Sequence, residues 1–200
     1  VVNALSDREH PCQALADLLT LREALGSLPG KRLVFIGDGN NVCVSLMLAA
    51  AAVGMVFTAI TPDDRALPEQ AITAARSAAE ASGGRVRLSH DPGDARGHHA
   101  VYTDTWRSMG GADESPEALR QRFGPYAVNT ALISLAADGI DGDPCFLHCL
   151  PASRGEEVEA AVIDGPLSLV YDQAENRMHA QNALVRWLLG RAPNAAAGDS

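Results

Sequence analysis

In Cys145-Phe-Leu-His-Cys-Leu-Pro-Ala-Ser-Arg-Gly-Glu-Glu157 an apolar lead-in meets His148 and Cys149 side by side, and Pro151 stops whatever precedes it. An apolar run closing on polar, reactive side chains predicts the end of a buried parallel strand. That is where open α/β sheets bind ligands. Arg154, Glu156 and Glu157 are too charged to be core. Cys149 lies ahead of a loop carrying Arg154, and a cysteine near positive groups has its thiolate favoured. The competing reading of Cys149 is a buried, inert thiol.

Working outward, strand-like and helix-like segments alternate. Residues 33–36, 56–60, 86–88, 100–103 and 145–148 read as strands, the third weakly. Helical patterns cover a first segment opened by His10 and Pro11 and stopped by Gly26, then residues 42–53, 69–82, a short one opened by Ser115 or Pro116, and 129–137. A long amphipathic helix over 174–189 closes the fold, and the tail from Arg191 has little to bury. Such alternation predicts an α/β fold with a five-stranded parallel sheet covered by helices on both faces. The first and last helices stand outside the alternation.

The chain has 200 residues, 46% of them hydrophobic, so a sizeable core is available. Its net charge of −9 argues against a nucleic-acid groove, and any phosphate-bearing ligand must be held by a local site. Residues 39–62 carry no charge, but Asn40, Asn41, Ser45 and Thr58 interrupt them and Gly54 divides them. A buried helix followed by a buried strand accounts for them better than a membrane span. Cys12, Cys43, Cys145 and Cys149, without a signal peptide, suggest reduced thiols in the cytoplasm. A zinc site from His148, Cys149 and the His98–His99 pair fits no standard ligand spacing, so no metal is expected. The chain starts at Val1 without an initiator Met, which reads as entry partway through a larger protein.

Gly37-Asp-Gly-Asn-Asn41 follows a strand and opens a helix, as a dinucleotide fingerprint would. However, Val42 stands at the third glycine and no clear ribose-binding acid ends the second strand. A tight turn with Asn40 or Asn41 capping the helix is the plainer reading. Asp104 directly follows a strand, where its carboxylate would pair a ligand's ammonium group or cap a helix, with Trp106 tucked into the core. His10 and Gln13 are three apart and share a helix face; both can donate to a carbonyl oxygen that is gaining negative charge. Arg177 is either a solvated helix charge or a partner for phosphate oxygens.

His148-Cys-Leu-Pro151 followed by Arg154-Gly-Glu-Glu157 closely resembles a signature of ornithine carbamoyltransferases, as do His10-Pro-Cys-Gln13, Asp104-Thr-Trp-Arg-Ser-Met-Gly110 and Glu175-Asn-Arg177. The resemblance runs to about Gly190. It implies a Rossmann-like ornithine-binding domain at 28–173. Residues 1–27 would be the end of a carbamoyl-phosphate domain with the interdomain helix, 174–190 a helix returning to that domain, and 191–200 a disordered tail. The implied substrates are L-ornithine and carbamoyl phosphate, with no cofactor, no membrane and no nucleic acid. Asn41, Asp104, Ser108 and Met109 would contact ornithine. His10, Gln13, Cys149, Leu150 and Arg177 would contact carbamoyl phosphate, with Asp104 and Cys149 nearest the chemistry. The Ser-Met-Gly form points to ornithine rather than putrescine, and the full-length family member would be a homotrimer.

Two departures stand out. Ser153 replaces the histidine of many relatives, and the family's Ser-Thr-Arg-Thr-type phosphate loop is absent from these residues. An additional domain of roughly 100–150 residues would be needed to supply that loop, so these residues alone are expected to be inactive or nearly so. The alternatives are a sister transcarbamoylase acting on another amine, a non-catalytic amino-acid-binding module, and a nicotinamide-dependent oxidoreductase.

Overall fold

The computed structural model describes residues 1–107 and 114–190. Five strands form one parallel sheet: β1 (Arg32–Ile36), β2 (Val56–Ile60), β3 (Arg85–Ser89), β4 (Ala100–Thr103) and β5 (Cys145–His148). Their spatial order is β3-β2-β1-β4-β5. The helices are α1 (Pro11–Leu25), α2 (Asn41–Ala52), α3 (Glu69–Ser82), α4 (Pro116–Phe123), α5 (Thr130–Ala137), α6 (Ala160–Ile163) and α7 (Val170–Leu188).

The central strands are apolar throughout because both faces are covered. Leu33, Phe35, Phe57, Tyr102 and Leu147 point into one core with α2 and α3, joined by Leu21 of α1. Val34, Ile36, Val101 and Phe146 point the opposite way, into a second core with α5 and α6. Strand side chains alternate faces, so the two cores interleave along each strand. The edge strand β3, with Arg85 and Arg87, is half-covered, which explains its weak apolar signal.

The uncharged stretch 39–62 resolves as α2 followed by β2, and no helix among the described residues is long and apolar enough to cross a membrane. Asn40 accepts from the backbone N–H groups of Val42 and Cys43, so it is the N-cap of α2. Gly39 has a packing reason: a Cβ there would press on the backbone carbonyl of Arg65. Trp106 does leave solvent, but into a small third cluster where it stacks on Phe123 with ring centroids 5.8 Å apart.

Two sequence expectations are corrected. The closing helix begins at Val170, four residues before Ala174, because Gln173 turns inward and its N–H reaches the Leu169 carbonyl. The expected domain boundary at 173/174 therefore falls inside α7. Glu157 is fully buried, not exposed: it lies beside His148, and its Oε1 accepts the Ser153 N–H. His98 and His99 precede β4 whereas His148 and Cys149 end and follow β5, so the two pairs sit at opposite ends of the sheet, roughly 13 Å apart. The expected tail, 191–200, lies outside the described residues.

Candidate functional site

Between β1 and β4 the strand order reverses, and in open α/β sheets the crevice beyond the carboxyl ends of such strands is the place for a ligand. A cleft of ≈ 630 Å³ opens there. Asp38, Asn40 and Asn41 enter it from the turn after β1, Asp104 and Arg107 from the segment after β4, and Cys149 and Leu150 from the turn after β5. Asp7 and His10 close it from the N-terminal side.

Asp104 is the hub of this cleft. Its Oδ2 accepts from Asn40 Nδ2 at 2.7 Å, and its Oδ1 accepts from the Thr105 N–H at 2.7 Å and from Cys149 Sγ at 2.9 Å. The side chain that caps α2 therefore also orients the carboxylate, tying the ends of β1, β4 and β5 together. Asp104, His148 and Cys149 bring possible metal ligands within 4.8 Å of one another. Each is already committed: the Cys149 thiol donates to Asp104, and His148 Nδ1 accepts the Leu150 N–H at 2.9 Å. That bond leaves the imidazole proton on Nε2, 3.5 Å from Glu157 Oε1. Leu150 adopts a left-handed conformation with φ 58, a strained choice for a leucine that sets its N–H toward His148.

The expectation of a favoured thiolate at Cys149 is overturned. Arg154 forms a two-pronged ion pair with Asp164, at 2.8 and 2.6 Å, away from the cleft. Burial, reinforced by the charge and hydrogen bond of Asp104, pushes the Cys149 thiol well above its ordinary range. It is a neutral donor. Cys12, Cys43 and Cys145 are buried, so a small alkylating reagent reads Cys149 most directly. At pH 7.5 its alkylation is expected to be about tenfold or more slower than that of a free thiol, and Asp104→Asn should accelerate it. A rate matching or exceeding a free thiol would mean a thiolate after all.

Of the residues singled out from sequence, His10, Asn41, Asp104, Cys149 and Leu150 line one cleft. Gln13 and Arg177 lie behind it, joined by a bond from Arg177 Nη1 to Gln13 Oε1 at 2.6 Å. Ser108 and Met109 lie outside the described residues. Asn41 donates to the Ser6 carbonyl at 2.7 Å. His10 has its Nδ1 2.8 Å from the Ala4 carbonyl oxygen, an acceptor, so Nδ1 holds the proton. Partial burial lowers its pKa, opposed by the Ala4 bond, so the neutral ring offers Nε2 as an acceptor. A donor role for His10 thus requires release from Ala4 or a second proton.

Sequence reading missed a buried layer beneath the cleft. Asp17 of α1, Tyr102 of β4 and Gln173 of α7 are all essentially inaccessible and hydrogen-bonded to one another or to Gln13. Asp17 was readable as four residues after Gln13, hence on its face, but nothing in sequence showed that face turned inward.

Residues 29–188 match the family model for the aspartate/ornithine carbamoyltransferase Asp/Orn binding domain. The chain is 51% identical over 191 residues to the ornithine carbamoyltransferase of Methanothermobacter thermautotrophicus, covering 95% of this chain and 62% of the relative. It is 49% identical over 193 residues to that of Acidothermus cellulolyticus, covering 96% of this chain and 60% of the relative. The solved ornithine carbamoyltransferase from Pyrococcus furiosus superposes with a TM-score of 0.87 at 44% identity, over 95% of this chain and 59% of that one. The chain thus spans about three-fifths of the length of these relatives. With the family model covering most of its length and the same sheet recurring in the solved relative, the chain belongs to the aspartate/ornithine carbamoyltransferase family.

Proposed function

We propose that this chain forms the ornithine-binding part of an ornithine carbamoyltransferase, which joins carbamoyl phosphate and L-ornithine to give L-citrulline and phosphate. The observation that carries this reading is the pairing of the Asp104 carboxylate with the neutral Cys149 thiol across the switch-point cleft, 2.9 Å apart. Asp7, Asp38 and Asp104 line the cleft beside a single arginine, Arg107, and this acidic balance suits a substrate with two amino groups. Asp104 orients the α-ammonium group, aided by Asn41, Ser108 and Met109. The δ-amine must attack as the free base, and a thiol suits this better than a thiolate, which would hold a proton on the nitrogen.

In the reaction the nitrogen lone pair forms a bond to the carbamoyl carbon, the carbon–oxygen bond to phosphate breaks, and one amine proton leaves with the phosphate. Negative charge gathering on the carbamoyl oxygen is met by Arg177, which the Gln13 carbonyl holds, with His10 and the Leu150 backbone completing the pocket. Positioning and fixed dipoles supply the rate, and no cofactor is invoked. The phosphate is held by an N-terminal carbamoyl-phosphate domain to which residues 1–27 and 174–190 connect, in a cytoplasmic homotrimer.

A panel of amines tests the assignment in these residues joined to a carbamoyl-phosphate domain. kcat/KM for L-ornithine should exceed that for putrescine, which lacks the α-carboxylate, by at least about 100-fold, because a site built for polar groups rejects analogues lacking them. Equal turnover of putrescine, or a preference for L-aspartate, would move the assignment to a sister enzyme.

A further inference from the structure

Helix pairs usually meet through apolar side chains, yet the seam between α1 and α7 is polar. Gln13, Asp17 and Thr20 follow one another at helical spacing on α1 and face Gln173, Asn176 and Arg177 on α7. Asp17 is 0% exposed, and Gln13 and Gln173 are 1% exposed each. Asp17 Oδ1 accepts from Gln13 Nε2 at 2.8 Å and from Gln173 Nε2 at 2.7 Å, while its Oδ2 has no hydrogen-bond partner among the described residues. The opposite ends of the two amides are also engaged. Gln13 Oε1 accepts from Arg177 at 2.6 Å, and Gln173 Oε1 accepts the His148 N–H at 3.0 Å.

A glutamine amide is nearly symmetric in shape, so its neighbours decide which end is oxygen. An ionised carboxylate accepts only. Placed between two glutamines, it draws both NH₂ groups to itself and turns both carbonyls outward, one to Arg177 and the other to the residue before Cys149. We propose that Asp17 is a positioning residue for carbamoyl transfer, setting the amides of Gln13 and Gln173 so that Arg177 and the His148–Cys149 strand end are held in one register. The proposal rests on the reaction assigned above.

The groups facing Asp17 are Arg177 from α7, Tyr102 from β4 and Cys149 beyond β5, besides the two glutamines. Burial pushes the carboxyl up to about 7, against the opposing bonds from Gln13 and Gln173, the nearby Tyr102 hydroxyl and the charge of Arg177. The acceptor-only state therefore prevails above neutrality and is lost as pH falls below it, so kcat should fall on the acid side.

The test uses these residues joined to a carbamoyl-phosphate domain. Asp17→Asn presents an NH₂ group that releases the glutamines from their common orientation. It should lower kcat about tenfold or more, leave KM for ornithine within a few-fold, and remove the acid limb of kcat. Thr20→Val disturbs the same seam, where Thr20 bonds the Ala16 carbonyl and Asn176, and should lower stability without moving kcat or its pH profile. Independently of turnover, the side-chain amide resonances of Gln13 and Gln173 in the unsubstituted protein should shift together near pH 7. Unshifted resonances, or Asp17→Asn with normal kcat and an intact acid limb, would overturn the proposal. Titrating amides in a protein that makes no citrulline would sustain the glutamine orientation and sink the reaction instead.

Discussion

Asp104→Asn should lower kcat/KM for ornithine by about 10²–10³-fold, equivalent to roughly 3–4 kcal/mol of lost transition-state stabilisation. The carboxylate accepts from Asn40, Thr105 and Cys149, and its free charge is what an ammonium group would meet. The amide keeps the shape but loses the charge, and its NH₂ opposes either the Asn40 amide or the Thr105 N–H and Cys149 thiol. A donor facing a donor turns the hub into a source of disorder. The substitution would therefore remove the partner proposed for the substrate's ammonium group and loosen the Cys149 turn. Steady-state kinetics, with circular dichroism confirming the fold, read the result. Retention of more than a tenth of kcat/KM would remove Asp104 from the role assigned to it.

The largest effect on stability is expected from Phe35→Ala. Phe35 is fully buried on the central strand β1 and stacks on Tyr102, with ring centroids 5.7 Å apart at an interplanar angle of 24°. Deleting a buried phenyl group costs about 3–5 kcal/mol, since neighbours anchored in a sheet collapse poorly into the cavity. Ordinary domains have only about 5–15 kcal/mol in total, so the variant should be folded only marginally at 37 °C. Urea denaturation measures the loss directly. A cost under about 1 kcal/mol would mean that the core around β1 is looser than described. Tyr102 reaches the Asp17 network on its other side, so the same variant should also disturb the cleft's support.

Much of this was legible because one rule ran through the chain: apolar strands, each followed by a turn. Every strand lies within one residue of its expected span at either end, and His148-Cys149 does close a buried parallel strand. The switch-point cleft then followed from topology, which brought together Asn41, Asp104 and Cys149 from three distant turns.

What stayed hidden was buried polarity. Glu157 reads as surface because Arg154 and Glu156 flank it, yet its partner His148 lies nine residues earlier on the far side of a sharp turn. The bond from Gln173 to Asp17 crosses 156 residues, and no periodicity in α1 or α7 says which polar face meets which. Cys149 was misread for a related reason. Arg154 is its near neighbour in sequence, but Asp164 captures the guanidinium, whereas Asp104, 45 residues away, sets the thiol.

The most direct test of the central claim is product formation from carbamoyl phosphate and L-ornithine, with these 200 residues assayed alone and joined to a carbamoyl-phosphate domain. The proposed function predicts citrulline and phosphate in equal amounts from the joined protein and almost none from the residues alone. Ornithine bound tightly by the joined protein without any citrulline would contradict it, and would make the cleft an amino-acid-binding module with no transferase chemistry.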